Sequence, residues 1–447
     1  MYPKELDLKS DRKRVQWAIL LYLLIFIGTN LSVWVWFVLH RHGPHNFPLG
    51  QRVERFGDLL RFSSKFQYGK DPRMLDTEHL VGTLFPKNYP PFAIVIYLFL
   101  LQVCAPYALA VLVATVLLGV GVACVLLWRR VRRFASYRSY MGVAVFATGL
   151  FGWGTEQTIM RGNMEGVMWI AVCLGAALYV RRRYMGAAIA FGVACCLKPY
   201  PVLWLGLMAR QRRYREVIAG LLAAGAVTLA SLLMIDRNPL RAYRYISGKS
   251  SFFANYIGSF RPMEEMKGDH ALLQTMKTIA RVVRYHGFNF PAKEYGATQH
   301  DPLAWKLYHA CLALTLILGL IVLCKVWNKP VLNQIFAVAC VSTVFPLVAG
   351  DYTLTVLLVP MGFFLIFMLE DVAEGRTKMP LSKMLWFLLP CAWINATTPL
   401  WILHGVLECA AILVLLGASL SIPLPSTLFG ETAGRAVVGT SGFLSTD

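Results

Sequence analysis

Asp58 is the residue of this 447-residue chain best placed to act as a general base. It lies between Arg55 and Arg61 in a polar segment that follows the first long apolar run. A carboxylate at the water-facing edge of a bilayer can accept the proton of an attacking hydroxyl group. The alternative is a solvated ion pair on a helix that lies along the membrane surface. Other acids in this segment compete for the role: Glu54, Asp71, Asp76 and Glu78.

A second polar group is the turn Arg161-Gly162-Asn163-Met164-Glu165-Gly166, which combines a guanidinium, an amide and a carboxylate. Sugar hydroxyls require donors and acceptors together, and the forked guanidinium suits a phosphate. We therefore predict that Arg161, Asn163 and Glu165 bind substrate. A well-capped turn between two helices is the alternative.

Two further groups accompany proline-containing breaks in apolar sequence. Lys198 lies in Leu-Lys-Pro-Tyr-Pro, residues 197–201, and a lysine in such apolar surroundings requires an anionic partner. Lys87 and Tyr89 precede a proline pair that suits the first turn of a helix. We predict that Lys87, Tyr89 and Lys198 bind substrate, although a simple helix start would account for the prolines.

Two more candidates lie later in the chain. His270 precedes an amphipathic stretch, residues 272–283, that we expect to lie on the membrane surface. Asp351, in a short polar turn, either adds an acid to the same site or caps a helix. We predict that both bind substrate, and we predict no metal site. The closely spaced histidines near the first polar segment lack a fourth ligand: His40, His42 and His45.

The composition indicates that helices crossing a membrane must position these residues. The chain is 57% hydrophobic and only 15% charged, and its mean hydropathy is +0.54. A helix of about 20 apolar residues spans a bilayer, and lipid requires every backbone group to be bonded internally. We predict an all-α polytopic membrane protein with about 11 to 13 transmembrane helices, some short or re-entrant. The apolar runs are 15–39, 89–128, 139–158, 164–180, 184–209, 216–235, 306–324, 331–348, 352–369, 384–403 and 405–422.

The net charge of +20 does not indicate nucleic-acid binding, because the basic residues cluster in short segments beside apolar runs. Such clusters indicate which loops lie on the cytoplasmic side of the membrane. Placing these clusters in the cytoplasm leaves residues 40–88, 154–163, 236–305 and 349–352 outside. The runs 89–128 and 184–209 require interruptions, the second with Lys198 at its outer tip. Such breaks are tolerated where they line a cavity. We expect one transmembrane domain, residues 1–425, and a disordered cytoplasmic tail, residues 426–447.

In their order along the chain, these features resemble glycosyltransferase family 87. The resemblance rests on an aspartate soon after the first helix, a Tyr-Pro-Pro helix start, a Gly-Asn turn, a Leu-Lys-Pro-x-Pro break and a proline-rich outward end before a late helix. It covers about residues 15–405. It implies a GT-C fold and transfer of a hexose, with mannose expected, from a polyprenyl-phosphate donor.

The resemblance also implies roles and partners. Asp58 matches the family's catalytic base, and Lys198 and Arg161 match groups near the donor phosphate. The expected partners are the polyprenyl-phosphate sugar, a lipid or glycan acceptor and membrane lipids, with no cofactor and no nucleic acid. The expected location is the cytoplasmic membrane, with the active site facing outward. The alternatives are a secondary transporter, a polymerase or ligase of lipid-linked glycans, and a non-catalytic lipid-binding scaffold.

Overall fold

The structure is a computed structural model, and its described part is almost entirely helical. Within that part no β-strand is present, and Asp269 and Gly350 form an isolated β-bridge. The prediction of an all-α protein is therefore confirmed. The described residues are 3–40, 89–103, 107–131, 144–145, 147–149, 151–247, 257–258, 260, 269–284, 301–347, 349–396 and 403–429.

The first half of the chain contributes α1 (Pro3–His40), α2 (Pro91–Val103), α3 (Ala108–Val131), α4 (Trp153–Arg161), α5 (Glu165–Val180), α6 (Tyr184–Leu197), α7 (Gly206–Arg210) and α8 (Tyr214–Ile235). The second half contributes α9 (Pro239–Ser247), α10 (Leu272–Arg284), α11 (Pro302–Val326), α12 (Val331–Val344), α13 (Leu358–Phe363), α14 (Leu369–Ala373), α15 (Leu381–Asn395) and α16 (His404–Ser421). A 3₁₀ helix, Asp351–Leu357, leads into α13, and a π-helical turn, Phe364–Met368, joins α13 to α14.

Five described helical segments are long and apolar enough to cross a membrane: Lys9–Ser32, Tyr214–Ile235, Pro302–Val326, Thr353–Ala373 and His404–Ser421. Five shorter apolar helices accompany them: Pro91–Leu100, Ala110–Gly119, Glu165–Val180, Tyr184–Leu197 and Val331–Val344. The chain is thus a multi-pass membrane protein. The total of 11 to 13 transmembrane helices stays a prediction.

Both predicted interruptions are present. The run 89–128 forms two helices, α2 and α3, because helix α2 ends at Val103. The run 184–209 breaks after α6, where Lys198 adopts extended backbone with φ −149° and ψ 140°. A residue before proline is pushed out of the helical region by the proline ring, which explains why the break falls there.

The segment expected to face outward, residues 154–163, is mostly helix α4, and residues 162–164 form the turn. Its orientation stays a prediction. The hydroxyl groups of the threonines in α4 are satisfied by backbone carbonyl groups: Thr155 donates to Gly149 and Thr158 to Gly154.

Helix α10 does not lie on the surface with a solvated basic face. Its polar side is buried in the protein, including Gln274, Lys277 and Arg281, whereas Ile279 and Val283 are exposed. The Nζ of Lys277 donates to the carbonyl of Ile257 at 3.1 Å, so the charged head is satisfied inside the protein. In a membrane protein, an amphipathic helix can direct its polar side inward and its apolar side toward lipid.

Small residues bring α6 and α8 into close contact. A Cβ atom added at Gly220 would lie 2.8 Å from the carbonyl oxygen of Ala188. Gly192 of α6 faces Gly220 in the same way. Without a hydrophobic driving force between helices in lipid, such close backbone approach is a main source of helix association. It fixes α6, and hence the break that carries Lys198.

The basic turns converge at one end of the bundle. The guanidinium of Arg210 donates to the backbone carbonyls of Trp327 and Lys329, which joins two of the turns predicted to be cytoplasmic. At a third turn, Arg376 pairs with Asp371 at 2.7 Å. Asp371 also accepts the backbone N–H of Thr427 at 2.8 Å, so the start of the predicted tail is packed against the bundle.

Candidate functional site

The turn between α4 and α5 is built to present Glu165. Helix α4 ends at Gly162, whose φ of 60° is readily adopted only by glycine. The side-chain oxygen of Asn163 then accepts the backbone N–H of Glu165 at 2.9 Å. Asn163 therefore caps the turn between the two helices, and this cap places Glu165 on the first turn of α5.

Glu165 and Lys198 form the first half of the site. The carboxylate of Glu165 is fully buried and lies 3.7 Å from the Nζ of Lys198, whose side chain is 18% exposed. The same Nζ lies 5.3 Å above the ring centre of Tyr89, a cation–π distance. The lysine thus has the anionic partner that its apolar surroundings required. Both oxygens of Glu165 lack a hydrogen bond among the described residues.

The second half of the site is a group of carboxylates and imidazoles around Asp351. Its Oδ1 lies 3.8 Å from the Nδ1 of His270, and its Oδ2 lies 3.9 Å from the Nε2 of His404. Glu408 approaches both imidazoles, at 3.6 Å from His270 and 3.0 Å from His404. All four side chains are buried. We call this group the His–carboxylate cluster.

Two sets of local contacts hold the cluster in place. Gly154 lets α4 approach the 3₁₀ segment closely, since an added Cβ atom would lie 2.9 Å from the backbone nitrogen of Thr355. This approach lets the indole N–H of Trp153 donate to Asp351 at 2.9 Å. On the other side, Asp269 accepts the N–H of Ala349 at 3.0 Å, which fixes the chain at His270 beside Asp351.

The two halves belong to one site. Helix α5, which begins at Glu165, packs against the 3₁₀ helix that begins at Asp351, so the two halves lie on neighbouring elements. Glu165 begins α5, and the basic turn at Arg181 follows its sixteenth residue, about 24 Å away at 1.5 Å per residue. The site therefore lies at the end of the bundle opposite the basic turns.

The two carboxylates of the cluster favour the protonated form of His270. Burial lowers the pKa of His270, but the carboxylates of Asp351 and Glu408 raise it more strongly, to about 9. Two buried carboxylates side by side repel each other unless a cation stands between them. A proton on His270 is the smallest cation that can do so.

The predicted site residues divide into three groups. Tyr89, Asn163, Glu165 and Lys198 meet in the first half, and His270 and Asp351 meet in the second. Asp58 and Lys87 lie outside the described residues, as does the side chain of Arg161 at the end of α4. The roles of these residues as base or substrate ligands stay predictions.

Sequence analysis missed four members of the site: Trp153, Thr353, His404 and Glu408. A signal was available for two of them, because His404 and Glu408 are ionisable residues four apart in an apolar run. That spacing places them on one helix face, and ionisable residues inside a membrane are functional candidates. Trp153 and Thr353 carried no comparable signal.

An all-α bundle that buries carboxylates, imidazoles and a lysine together at one end has the organisation of a membrane-embedded enzyme, because burial of so many ionisable groups is costly for a purely structural role. The family comparison identifies the reaction class. The model of glycosyltransferase family 87 matches residues 88–360, more than half of the chain, and the chain belongs to this family. It is a membrane glycosyltransferase, and its polytopic all-α architecture is of the GT-C type. A search of curated proteins finds no significant match.

Proposed function

We propose that this protein transfers a hexose, with mannose expected, from a polyprenyl-phosphate donor to a lipid or glycan acceptor, with inversion at the anomeric carbon. The proposed location is the outer face of the cytoplasmic membrane. Family membership supports the transferase class. The donor, the acceptor and the orientation are proposals that rest on the site.

The observation that carries the proposal is Lys198 at its proline break. The break places a lysine that retains access to solvent beside Tyr89 and the buried Glu165. When a polyprenyl phosphate departs, negative charge grows on its phosphate, and a positioned cation stabilises that charge.

The proposed chemistry is a single displacement. The acceptor hydroxyl attacks the anomeric carbon, the bond from that carbon to the phosphate oxygen breaks, and the polyprenyl phosphate leaves as an anion. Phosphate needs no general acid to leave, so one base that takes the hydroxyl proton is sufficient. We assign that base to Asp58, by the family resemblance and by its position after the first helix.

The orientation follows from the charge map. The basic turns at Arg210, Lys329 and Arg376 share the end of the bundle opposite Glu165 and Asp351. Short basic loops remain in the cytoplasm in most membrane proteins. The site would then open outward, where lipid-linked sugars are used without nucleotide donors.

The test is a transfer assay with the full-length chain in lipid nanodiscs. Radiolabelled polyprenyl-phosphate sugars are offered singly together with extracted membrane lipids, and labelled products are separated from donor. We expect transfer from one donor, with retention of the label by an acceptor lipid or glycan. Asp58→Asn should abolish transfer while the protein remains monodisperse. Asp76→Asn, in the same polar segment, is the matched control and should retain activity.

Each outcome separates the alternatives. Transfer by Asp58→Asn at a rate near that of the unaltered protein would refute the assignment of the base. Transfer only from lipid-linked oligosaccharides would identify a polymerase or ligase of such glycans. Uptake of a solute into proteoliposomes without any transfer would favour the secondary transporter.

A further inference from the structure

Three residues of the His–carboxylate cluster bring possible metal-ligand atoms close together. The Nδ1 of His270 lies 3.8 Å from the Oδ1 of Asp351 and 3.6 Å from the Oε2 of Glu408. One ligand atom from each of the three residues lies within 4.8 Å of the other two, and all three residues are buried. None of the three atoms has a hydrogen bond with acceptable geometry among the described residues.

The other polar atom of each of these three side chains lies within about 3 Å of a second residue. The Oδ2 of Asp351 accepts the indole N–H of Trp153 at 2.9 Å. The Nε2 of His270 lies 3.0 Å from the hydroxyl of Thr353, and the Oε1 of Glu408 lies 3.0 Å from the Nε2 of His404. The contacts of Trp153 and Thr353 have hydrogen-bond geometry, whereas that between Glu408 and His404 is an ion-pair distance without it. Outer contacts of this kind orient metal-binding histidines and carboxylates toward an ion.

The distances do not suit a simple hydrogen-bonded network. With the Nε2 of His270 engaged by Thr353, its Nδ1 can satisfy at most one carboxylate by donating a proton. Separations of 3.6 and 3.8 Å exceed the usual range of about 2.7–3.2 Å for either bond. In a tetrahedral zinc site with bonds of about 2.0–2.2 Å, neighbouring ligand atoms lie about 3.3–3.6 Å apart. The two distances from the Nδ1 of His270 lie at or just above that range.

We propose that His270 Nδ1, Asp351 Oδ1 and Glu408 Oε2 bind one divalent transition-metal ion. A nitrogen ligand together with two carboxylates favours zinc or manganese over magnesium and calcium, which prefer oxygen ligands alone. His404 and Trp153 hold the carboxylates from outside. This inference concerns metal binding and stands independently of the proposed donor.

A bound dication also has a consequence for the proposed function. Among the described residues, three buried carboxylates, on Glu165, Asp351 and Glu408, face the ammonium of Lys198 and, in the metal-free cluster, the proton on His270. An anionic phosphate would be repelled by that balance at close range. A dication held by Asp351 and Glu408 offsets both of their charges and makes the site more favourable for a phosphate.

The test measures metal directly. The full-length chain is purified in nanodiscs with a tag that does not bind metal, stripped with a chelator, and reloaded with ZnCl₂, MnCl₂, MgCl₂ or CaCl₂ before dialysis. We expect about one zinc or manganese ion per chain by elemental analysis, a rise in Tm on reloading, and a visible d–d absorption band when cobalt(II) is used. Magnesium and calcium should give neither retention nor stabilisation.

Variants locate the ion. Glu408→Gln should reduce retained metal to background and remove the rise in Tm. Glu370→Gln is the matched control, because Glu370 lies at the far end of the Thr353–Ala373 span and pairs with Arg376. It should retain metal like the unaltered protein.

A milder variant covers the case in which Glu408→Gln fails to fold. Thr353→Val keeps the side-chain shape and removes the outer contact of His270, and it should weaken metal binding about 10- to 100-fold. Absence of retained metal in the unaltered protein, or equal retention by Glu408→Gln, would overturn the inference. Metal binding without sugar transfer would support the metal site and contradict the proposed function.

Discussion

The ion pair between Lys198 and Glu165 makes the sharpest prediction about this site. Lys198→Met removes the ammonium group and keeps an unbranched side chain of similar length. Glu165 is fully buried, and its carboxylate would then lose the cation that lies 3.7 Å away. Removing one partner of a buried pair is far more damaging than replacing both, because a buried charge is left behind.

The magnitude follows from the distance. Two unit charges 3.7 Å apart attract by about 4.5 kcal/mol at an effective dielectric constant of about 20. Lys198 is 18% exposed, so solvent screens part of this attraction. Proton uptake by Glu165 limits the loss further. We therefore expect Lys198→Met to cost about 3 kcal/mol, at the lower end of the range of about 3–5 kcal/mol for such deletions.

This cost should be visible as a change in Tm. The unfolding entropy of globular proteins is about 2.1 cal/mol/K per residue, which gives about 0.9 kcal/mol/K for 447 residues. A loss of 3 kcal/mol then lowers Tm by about 3 °C. The measurement is thermal unfolding in nanodiscs of one lipid composition, followed by intrinsic tryptophan fluorescence, with Lys383→Met as the exposed-lysine control.

The double variant separates charge from packing. Lys198→Met combined with Glu165→Gln removes both charges of the pair, so no unpaired carboxylate remains at position 165. This double variant should regain more than half of the lost stability. Transfer activity should stay low in both variants, because Lys198 is proposed to stabilise the leaving phosphate. A double variant no more stable than Lys198→Met, or a single variant with unchanged Tm, would refute the reasoning about the pair.

Three further predictions concern residues that position the site or hold the bundle together. Trp153→Phe keeps an aromatic side chain but loses the indole N–H bond to Asp351, so we expect a loss of about 1.5 kcal/mol or more and about a tenfold lower transfer rate, measured as initial velocity. Gly220→Leu should lower Tm and yield by forcing two helices apart, whereas Gly225→Leu, whose added Cβ meets nothing within 4 Å, should not. Asp371→Asn weakens the bonds that hold the C-terminal segment, so limited proteolysis should cleave that segment sooner.

The His–carboxylate cluster and the Lys198 pair play different parts in this scheme. Lys198 retains access to solvent and lies beside Tyr89, which suits direct contact with substrate. Asp351 and Glu408 are buried and held by neighbouring side chains, which suits a fixed charge. The metal measurements and the transfer assay examine these two parts separately.

Several features of this protein follow from the sequence by itself. Apolar composition requires helices, because lipid offers no other partner for backbone groups. Proline at position 199 forces a break after α6, and the need of Lys198 for an anionic partner could be stated without any coordinates. These inferences concern neighbours along the chain or a residue's own solvation, so they do not depend on how the helices pack.

Tertiary structure decided which residues meet. The partner of Lys198 is Glu165, and this choice depends on how α5 and α6 pack through small residues. The polar side of α10 faces inward. The sequence periodicity does not determine this orientation, because the same amphipathic pattern fits a helix whose polar side faces water and one whose polar side faces a polar protein interior. His270, Asp351 and Glu408 lie on three elements far apart in sequence, and only packing of the bundle brings their side chains to one buried point.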